Sequence, residues 1–341
     1  MTNKKSILDI NNASDEELLN SRMCDFGLRI DRTPVQDKVA ILYDELEKKG
    51  LSFRPVCYLG DEWFSPGGVP AISIPFYLAH PRLQAVENTM MLEVEGGSDE
   101  ECMKLLRHEC AHAIGHAFNL TERKKWQKVF GNPDSTYQEF YRYRPYSKSY
   151  VHHLKDHYAQ SHPEEDFAET FAVWLNPNSD WKTLYNKWPA IDKLQYVNTL
   201  MNSLKKRECK VPYSPLAYQI KNLKRTLAKH YRIRKKLYAQ DSENYFDNDL
   251  KKVFQATKEG SSGTSAASYI RKSRSSIESS VAIWTLEKKF TIKRLLTQLI
   301  KRCHTLGLYI PKDEEKTKAN FLIYFTSLIS NYMHTSHFKK P

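Results

Sequence analysis

The chain has 341 residues, of which 40% are hydrophobic, and this length allows two domains with sizeable cores. Its N-terminus lacks the apolar stretch of about 7–15 residues that defines a signal peptide. No apolar run reaches the roughly 18 residues of a transmembrane segment. The six cysteines show no C-x-x-C pairing, which is typical of reduced thiols. These features argue against a secreted or membrane-spanning protein and predict a cytoplasmic one.

Charge divides the sequence into two regions. Residues 1–200 contain 23 Lys and Arg against 29 Asp and Glu, whereas residues 201–341 contain 29 against 11. The formal net charge of +12 at pH 7 therefore comes from the C-terminal region. We expect an acidic N-terminal unit followed by a basic appendage with its own character.

Three elements are predicted in the first hundred residues. Residues 34–49 have the apolar periodicity of an amphipathic helix, and residues 51–59 and 69–74 are predicted to be strands. The prolines of the second strand favour an edge position, because proline cannot donate to a central ladder. The apolar face of the predicted helix is formed by Val35, Val39, Leu42 and Leu46.

The next predicted helix carries the HExxH spacing, and Ser98 and Glu101 are placed as a capping box at its start. His108 and His112 are four residues apart, so their side chains lie on one face of the helix. Both imidazoles can reach one Zn2+ ion from there. Glu109 is placed to act as a general base toward water at the metal. The alternative is a helix whose two histidines are satisfied by ordinary hydrogen bonds.

A third protein ligand distinguishes the classes of zinc site. The metzincin pattern HExxHxxGxxH is not met, because Phe118 occupies the third histidine position. Downstream, Ser161 is predicted to cap an apolar helix that ends before Pro177. Glu165 and Glu169 are i, i+4 partners in this helix, where unpaired carboxylates are rare. This is the gluzincin plan, in which Glu165 completes the zinc site and Glu169 orients a ligand histidine.

Two alternatives to this ligand set remain open. Glu165 and Glu169 can instead be exposed carboxylates on a solvated face, and His157 or His162 can instead supply the third ligand. His157 lies near the end of residues 137–158, a stretch rich in Tyr, Arg and His, and His162 follows this stretch by four residues. This stretch is expected either to line a substrate cleft or to pack over it.

The motifs resemble those of known zinc peptidases. The arrangement of HExxH, Tyr158, Glu165 and Glu169 is similar to the active-site helix of the lethal-factor-type zinc proteases, members of the gluzincin clan. In that family a tyrosine seven residues before the ligand glutamate stabilises the oxyanion, a role that the resemblance carries to Tyr158. A longer resemblance, over roughly residues 25–205, is to an uncharacterised bacterial family of zinc-binding metallopeptidases.

The longer resemblance implies a zincin-like fold and a bound zinc ion. The zinc ribbon that many members carry near the N-terminus is missing, because only Cys24 lies there. In zinc peptidases an edge strand beside the HExxH helix binds the substrate backbone, and residues 69–78 are our candidate. An ordinary structural edge is the alternative. The segments that carry the resemblance are residues 61–66, 74–83, 106–109, 158–163 and 165–174.

The basic region shows helical periodicity over residues 216–231, 290–306 and 321–332. Residues 257–267, rich in Gly and Ser, are predicted to form a flexible linker. Basic amphipathic helices bind nucleic acid or acidic surfaces, and they can equally dock on an acidic part of their own chain. No helix-turn-helix, RRM or zinc-finger signature accompanies them, so specific nucleic-acid recognition is not predicted.

These patterns together predict an α+β fold and a zinc-dependent metallopeptidase acting on a peptide or protein substrate. Glu109 is the expected base, Tyr158 the oxyanion donor, and His108, His112 and Glu165 the Zn2+ ligands. One alternative is a non-catalytic zinc-containing protein that binds a peptide and recruits an anionic partner; intact Glu109 argues against it. A structural zinc site is the third possibility.

The predicted domain organisation has four parts. A zincin-like metallopeptidase domain is expected over residues 1–205, followed by a basic helical segment over 206–256. The flexible linker over 257–267 then leads to a mostly helical C-terminal region over 268–341.

Overall fold

A computed structural model gives the fold of this chain. Two compact units form, and both contain helices and short strands, which confirms the predicted α+β class. The first unit takes its residues from Met1–Met90 and Val94–Tyr231, and the second from Met91–Glu93 and Arg232–Pro341. The structure describes residues 8–91, 93–137, 143–144, 146–154, 157–209, 218–237, 246–257, 261–285 and 287–335.

The first unit is built mainly from helices. The predicted amphipathic helix is present with its apolar face buried, and burial of that face against the other elements stabilises it. In chain order the elements are α1 (Asp15–Asn20), α2 (Pro34–Lys48), β1 (Val56–Gly60), β2 (Ala71–Pro75), α3 (Pro81–Met91), α4 (Asp99–Ala117), α5 (Lys124–Phe130), α6 (Pro163–Leu175), α7 (Trp181–Leu184) and α8 (Ala190–Leu204).

Strands β1 and β2 form a parallel pair, with Val56 opposite Ala71. Within the described residues this sheet has two strands, so β2 lies at an edge, as predicted. All five residues of β2 are buried, and its other side is bridged by Phe64, whose carbonyl accepts from the Ser73 amide at 2.8 Å. Pro75 is the last residue of β2, where its missing N–H does not interrupt the ladder. At Ser73 this bridge occupies the backbone amide, so a substrate strand cannot pair with β2 at that residue.

Helix α4 lies at the centre of the first unit, where it packs against α2, α6 and β2. The Ser98 side chain caps it by accepting from the Glu101 amide at 3.2 Å, which is one of the two bonds of the predicted capping box. A buried ion pair fixes its position: Arg107 donates to both carboxylate oxygens of Glu45 on α2, at 2.8 and 2.6 Å. This two-bond geometry holds the turn of α4 that precedes the HExxH motif.

The basic segment predicted to begin at residue 206 starts inside the first unit. The amides of Met23 and Cys24 donate to the carbonyls of Arg225 and Leu223, both at 3.0 Å. Helix α9 (Leu227–Leu237) follows, and the division between the two units falls within it. The compact units thus divide the chain about 26 residues after the predicted boundary, because these backbone pairings tie residues 218–231 to the N-terminal segment.

The second unit has its own apolar core. Two of the predicted helical segments are present: residues 290–306 correspond to a helix over Lys289–Thr305, and residues 321–332 lie within a helix over Glu314–Thr335. Among the described residues the elements are α10 (Asp247–Val253), β3 (Ser261–Ser265), α11 (Ala266–Lys272), α12 (Arg274–Thr285), α13 (Lys289–Thr305), β4 (Tyr309–Pro311) and α14 (Glu314–Thr335). Core residues from most of these elements include Leu250, Phe254, Ile270, Val281, Leu296, Leu299, Phe321 and Phe325.

The structure also differs from the flexible linker predicted over residues 257–267. Strand β3 within this range pairs antiparallel with β4, and Ala266 and Ala267 are buried in the core of the second unit. The Ser265 side chain caps α11 by accepting from the Ser268 amide at 3.2 Å. The Gly- and Ser-rich composition is typical of a linker, but the pairing of β3 with β4 and the burial of Ala266 and Ala267 give this segment a regular structure. Residues 258–260 lie outside the described residues.

None of the helices in the described part of the chain is both long and apolar enough to cross a membrane.

Candidate metal centre

Helices α4 and α6 bring together the three predicted metal ligands. The Nε2 atoms of His108 and His112 lie 3.2 Å apart, one helical turn separating the two residues. Oε2 of Glu165 lies 3.0 Å from Nε2 of His108 and 3.3 Å from Nε2 of His112. Within the described residues, these form the one group of three or more His, Cys, Asp or Glu side chains with ligand-atom spacing suited to a metal ion.

The spacing of the three atoms fits a tetrahedral ion. Ligand atoms at about 2.0–2.1 Å from zinc stand roughly 3.3 Å from one another, close to the three separations in this cluster. His108 and Glu165 are only 3% and 5% exposed. Such buried acceptors do not converge on one point without a proton or a cation between them. The donor set of two imidazoles and one carboxylate suits zinc.

The electrostatics of the cluster favour positive charge. Burial alone lowers the pKa of His108, but hydrogen bonds with Glu165 and Glu169 outweigh it and raise that pKa well above its ordinary value. The pKa of His112 is also raised, because the attraction of Glu165 exceeds the effect of burial. In return, the two histidines hold the pKa of Glu165 far below its usual range against the opposing effect of burial. The Glu165 carboxylate is therefore ionised and available as a ligand.

Glu169 supports His108 from the side away from the cluster. Its Oε1 lies 2.8 Å from Nδ1 of His108, and its Oε2 accepts from the Leu154 amide at 2.8 Å. With a proton on Nδ1 directed at this carboxylate, Nε2 of His108 keeps its lone pair toward the cluster. Since Glu169 is 1% exposed, water does not compete for this bond. These contacts are the ones that the role predicted for Glu169 requires.

Glu109 and Tyr158 lie beside the cluster. Burial raises the pKa of Glu109, His108 and His112 partly oppose this, and Glu165 reinforces it. A carboxylate in this setting holds a proton more readily than an exposed one, which suits a group that takes up and releases a proton. Tyr158 begins a short 3-10 helix, and its ring centroid lies 5.7 Å from that of His108.

The two rival histidines point to other partners. His162 is the N-cap of α6: its Nδ1 accepts from the Glu164 amide at 3.2 Å, and its Nε2 donates to the Ser135 carbonyl at 2.9 Å. His162 thus takes the capping position that the sequence analysis gave to Ser161. His157 stacks on Tyr143, with ring centroids 4.7 Å apart. Neither ring joins the three-ligand cluster.

The sequence analysis missed Tyr137. Its hydroxyl donates to Oε1 of Glu165 at 2.7 Å, and its ring stacks on that of His162 with centroids 3.7 Å apart. Tyr137 begins the stretch rich in Tyr, Arg and His, which was expected to line or cover a cleft. No regular spacing ties residue 137 to residue 165, so only the composition of that stretch pointed to it.

Residues 102–239 match the sequence model of a family described as "putative zinc-binding metallo-peptidase". The matched segment is less than half of the chain, but it holds His108, His112, Glu165 and the residues around them. Searches of curated proteins and of solved structures found no match. The similarity to a family of putative zinc-binding metallopeptidases is thus carried by the segment that forms this metal centre.

Proposed function

We propose that this chain is a zinc-dependent peptidase of the gluzincin type, with zinc held by His108, His112 and Glu165. The observation that carries the proposal is the convergence of two Nε2 atoms and one carboxylate oxygen, with separations of 3.0 to 3.3 Å. The ligands come from two helices that pack against each other, so the cluster is part of the core packing and not of a loop. Sites on rigid elements keep their geometry without the metal.

The surrounding residues supply the remaining chemistry. Zinc, when bound, acts as a Lewis acid that activates water and polarises a peptide carbonyl. Glu109 takes the proton from the attacking water and passes it to the departing amine. Tyr158 donates a hydrogen bond from its hydroxyl to the oxyanion that develops on the carbonyl. Glu169 keeps His108 in the tautomer that binds metal and prevents its ring from turning.

The alternative is a protein that binds a peptide in the same cleft without cleaving it. Glu109 favours the enzyme, because a binding protein gains nothing from a buried carboxylate that lies next to the ligands and is not among them. Burying such a group is costly unless a function maintains it.

The test is to compare the wild-type chain with Glu109→Gln on a mixed peptide library, counting new termini by mass spectrometry. Glutamine keeps the shape of the side chain but cannot accept the proton, so hydrolysis should fall by about 10²–10⁴-fold. Zinc content and the unfolding transition should remain those of the wild type. Equal hydrolysis by the two proteins would contradict the role of Glu109, and no hydrolysis by either would favour the binding protein.

For the second unit we propose an anionic partner, either a nucleic acid or an acidic surface. The support is its charge: residues 91–93 and 232–341 contain 21 Lys and Arg against 11 Asp and Glu. Several of these cations, such as Lys272, Lys289 and Lys293, are exposed on helices. A basic surface of this kind attracts polyanions through long-range electrostatics.

A further inference from the structure

Glu165 uses its two carboxylate oxygens for two different tasks. Oε2 faces Nε2 of His108 at 3.0 Å and Nε2 of His112 at 3.3 Å. Oε1 faces the other way and accepts a hydrogen bond from the Tyr137 hydroxyl at 2.7 Å. A carboxylate that binds a metal through one oxygen only must have its second oxygen engaged elsewhere, or the group can rotate and bind through both.

The hydroxyl that makes this bond is itself held in place. The ring of Tyr137 stacks on that of His162 at a centroid distance of 3.7 Å and an interplanar angle of 16°. His162 is buried, and its ring is fixed by the Glu164 amide and the Ser135 carbonyl. The stacking platform is thus the cap of α6, the helix that carries Glu165 in its first turn. Tyr137, through His162, and Glu165 are therefore both positioned by the N-terminal end of α6.

Tyr137 engages Glu165 through its hydroxyl. Its single hydroxyl proton is directed at Glu165, so it is not free to be donated to a substrate. The ring nevertheless remains 52% exposed, which leaves the bond to Glu165 and the stack on His162 as its principal constraints. These contacts act on the ligand and not on the reacting atoms.

We infer that Tyr137 is a positioning residue for the metal centre, which holds Glu165 as a one-oxygen ligand. This inference rests on the proposed zinc site. It gives Tyr137 the role toward Glu165 that Glu169 has toward His108, so that two of the three ligands are oriented by a neighbouring side chain. Loss of such an outer partner typically weakens metal binding by about 10–100-fold.

The experiment measures zinc affinity in the full chain by competition with a chelator of known affinity. The variants are Tyr137→Phe, which removes only the hydroxyl, and Tyr146→Phe, a matched control in the same stretch whose side chain is 95% exposed. Tyr137→Phe should weaken zinc binding by about 10–100-fold, and Tyr146→Phe should leave it unchanged. Thermal unfolding of the metal-free proteins should be the same for all three, which separates positioning from folding.

A second measurement distinguishes a positioning role from a catalytic one. If the wild type hydrolyses peptides, excess zinc should restore turnover in Tyr137→Phe but not in Tyr158→Phe. Unchanged zinc affinity in Tyr137→Phe, while Glu165→Ala loses the metal, would overturn the inference and leave the zinc site standing. A wild-type chain that binds no zinc would overturn both.

Discussion

The two units of the chain bury different kinds of residue. Among the described Asp, Glu, Lys, Arg and His residues of the second unit, Arg234 and Asp249 are the two with buried side chains. In the described part of the first unit, ten residues of these types are buried: Glu45, Glu87, Arg107, His108, Glu109, His162, Glu165, Asp166, Glu169 and His230. Burying charge is unfavourable without partners or a ligand, so its concentration in one unit marks that unit as the functional one.

The excess of positive charge lies in the second unit, whereas most of the buried charged residues lie in the first. The first unit is close to neutral, with 31 Lys and Arg against 29 Asp and Glu, whereas the second carries a net charge of +10. The sequence, divided at residue 200, predicted an acidic first part, because the basic residues of 201–231 were assigned to the tail. In the structure the described residues of this segment belong to the first unit. The first unit therefore does not carry the net negative charge that the sequence analysis gave to the N-terminal part.

The comparison predicts that breaking a buried ion pair is more damaging in the first unit than breaking a partly exposed pair in the second. Arg107→Met leaves Glu45 as an unpaired buried carboxylate and should lower the free energy of unfolding by about 3–5 kcal/mol. The matched control is Arg302→Met, which breaks the partly exposed pair with Asp247 and should cost about 0–1 kcal/mol. Urea unfolding of the full chain measures both.

The double variant Arg107→Met/Glu45→Met refines this prediction. It removes both charges and should recover most of the loss, since an apolar pair is tolerated where a lone charge is not. Equal losses in Arg107→Met and Arg302→Met would mean that the two units do not differ in how they bury charge.

Tyr158→Phe tests whether the buried polar residues of the first unit include a catalytic donor. Removing a hydroxyl that stabilises the oxyanion should lower turnover by about 10²–10³-fold, or roughly 3–4 kcal/mol. Zinc content should not change, because Tyr158 lies beside His108 without being a ligand. Steady-state kinetics together with elemental analysis measure the effect. A variant that hydrolyses peptides at the wild-type rate would remove Tyr158 from the mechanism.

The smallest expected effect concerns the charge of the second unit. Lys289→Glu/Lys293→Glu on α13 should weaken binding to RNA or acidic vesicles severalfold and lower the salt dependence of binding by about one ion per lost contact. Lys124→Glu/Lys128→Glu on α5 is the control, with two exposed cations reversed in the first unit. Titrations at several salt concentrations measure this. If the wild-type chain binds neither RNA nor acidic vesicles at low salt, the proposal of an anionic partner is wrong.

The parts of this structure that the sequence predicted follow local rules. The four-residue spacing of His108 and His112 predicted that their side chains share one face of a helix. The i, i+4 pair of carboxylates in an apolar helix predicted that Glu165 and Glu169 have partners there. The apolar periodicity of residues 34–49 predicted α2, which spans Pro34–Lys48.

The parts that were missed depend on contacts between distant segments. Tyr137 and Glu165, joined by one hydrogen bond, are 28 residues apart in the sequence. The amides of Met23 and Cys24 are about 200 residues from the carbonyls of Arg225 and Leu223 to which they donate. Neither leaves a periodic trace in the sequence. The same holds for the isolated bridge between Phe64 and Ser73 of β2.

The metal content of the purified full-length chain tests the central claim most directly. Elemental analysis should find about one zinc per chain in the wild type. Glu165→Ala should lose that zinc while the circular dichroism of the protein shows an intact fold. The control His157→Ala should keep it, since that ring stacks on Tyr143 away from the cluster. A Glu165→Ala protein that retains its zinc, or a His157→Ala protein that loses it, would contradict the ligand set proposed for this site.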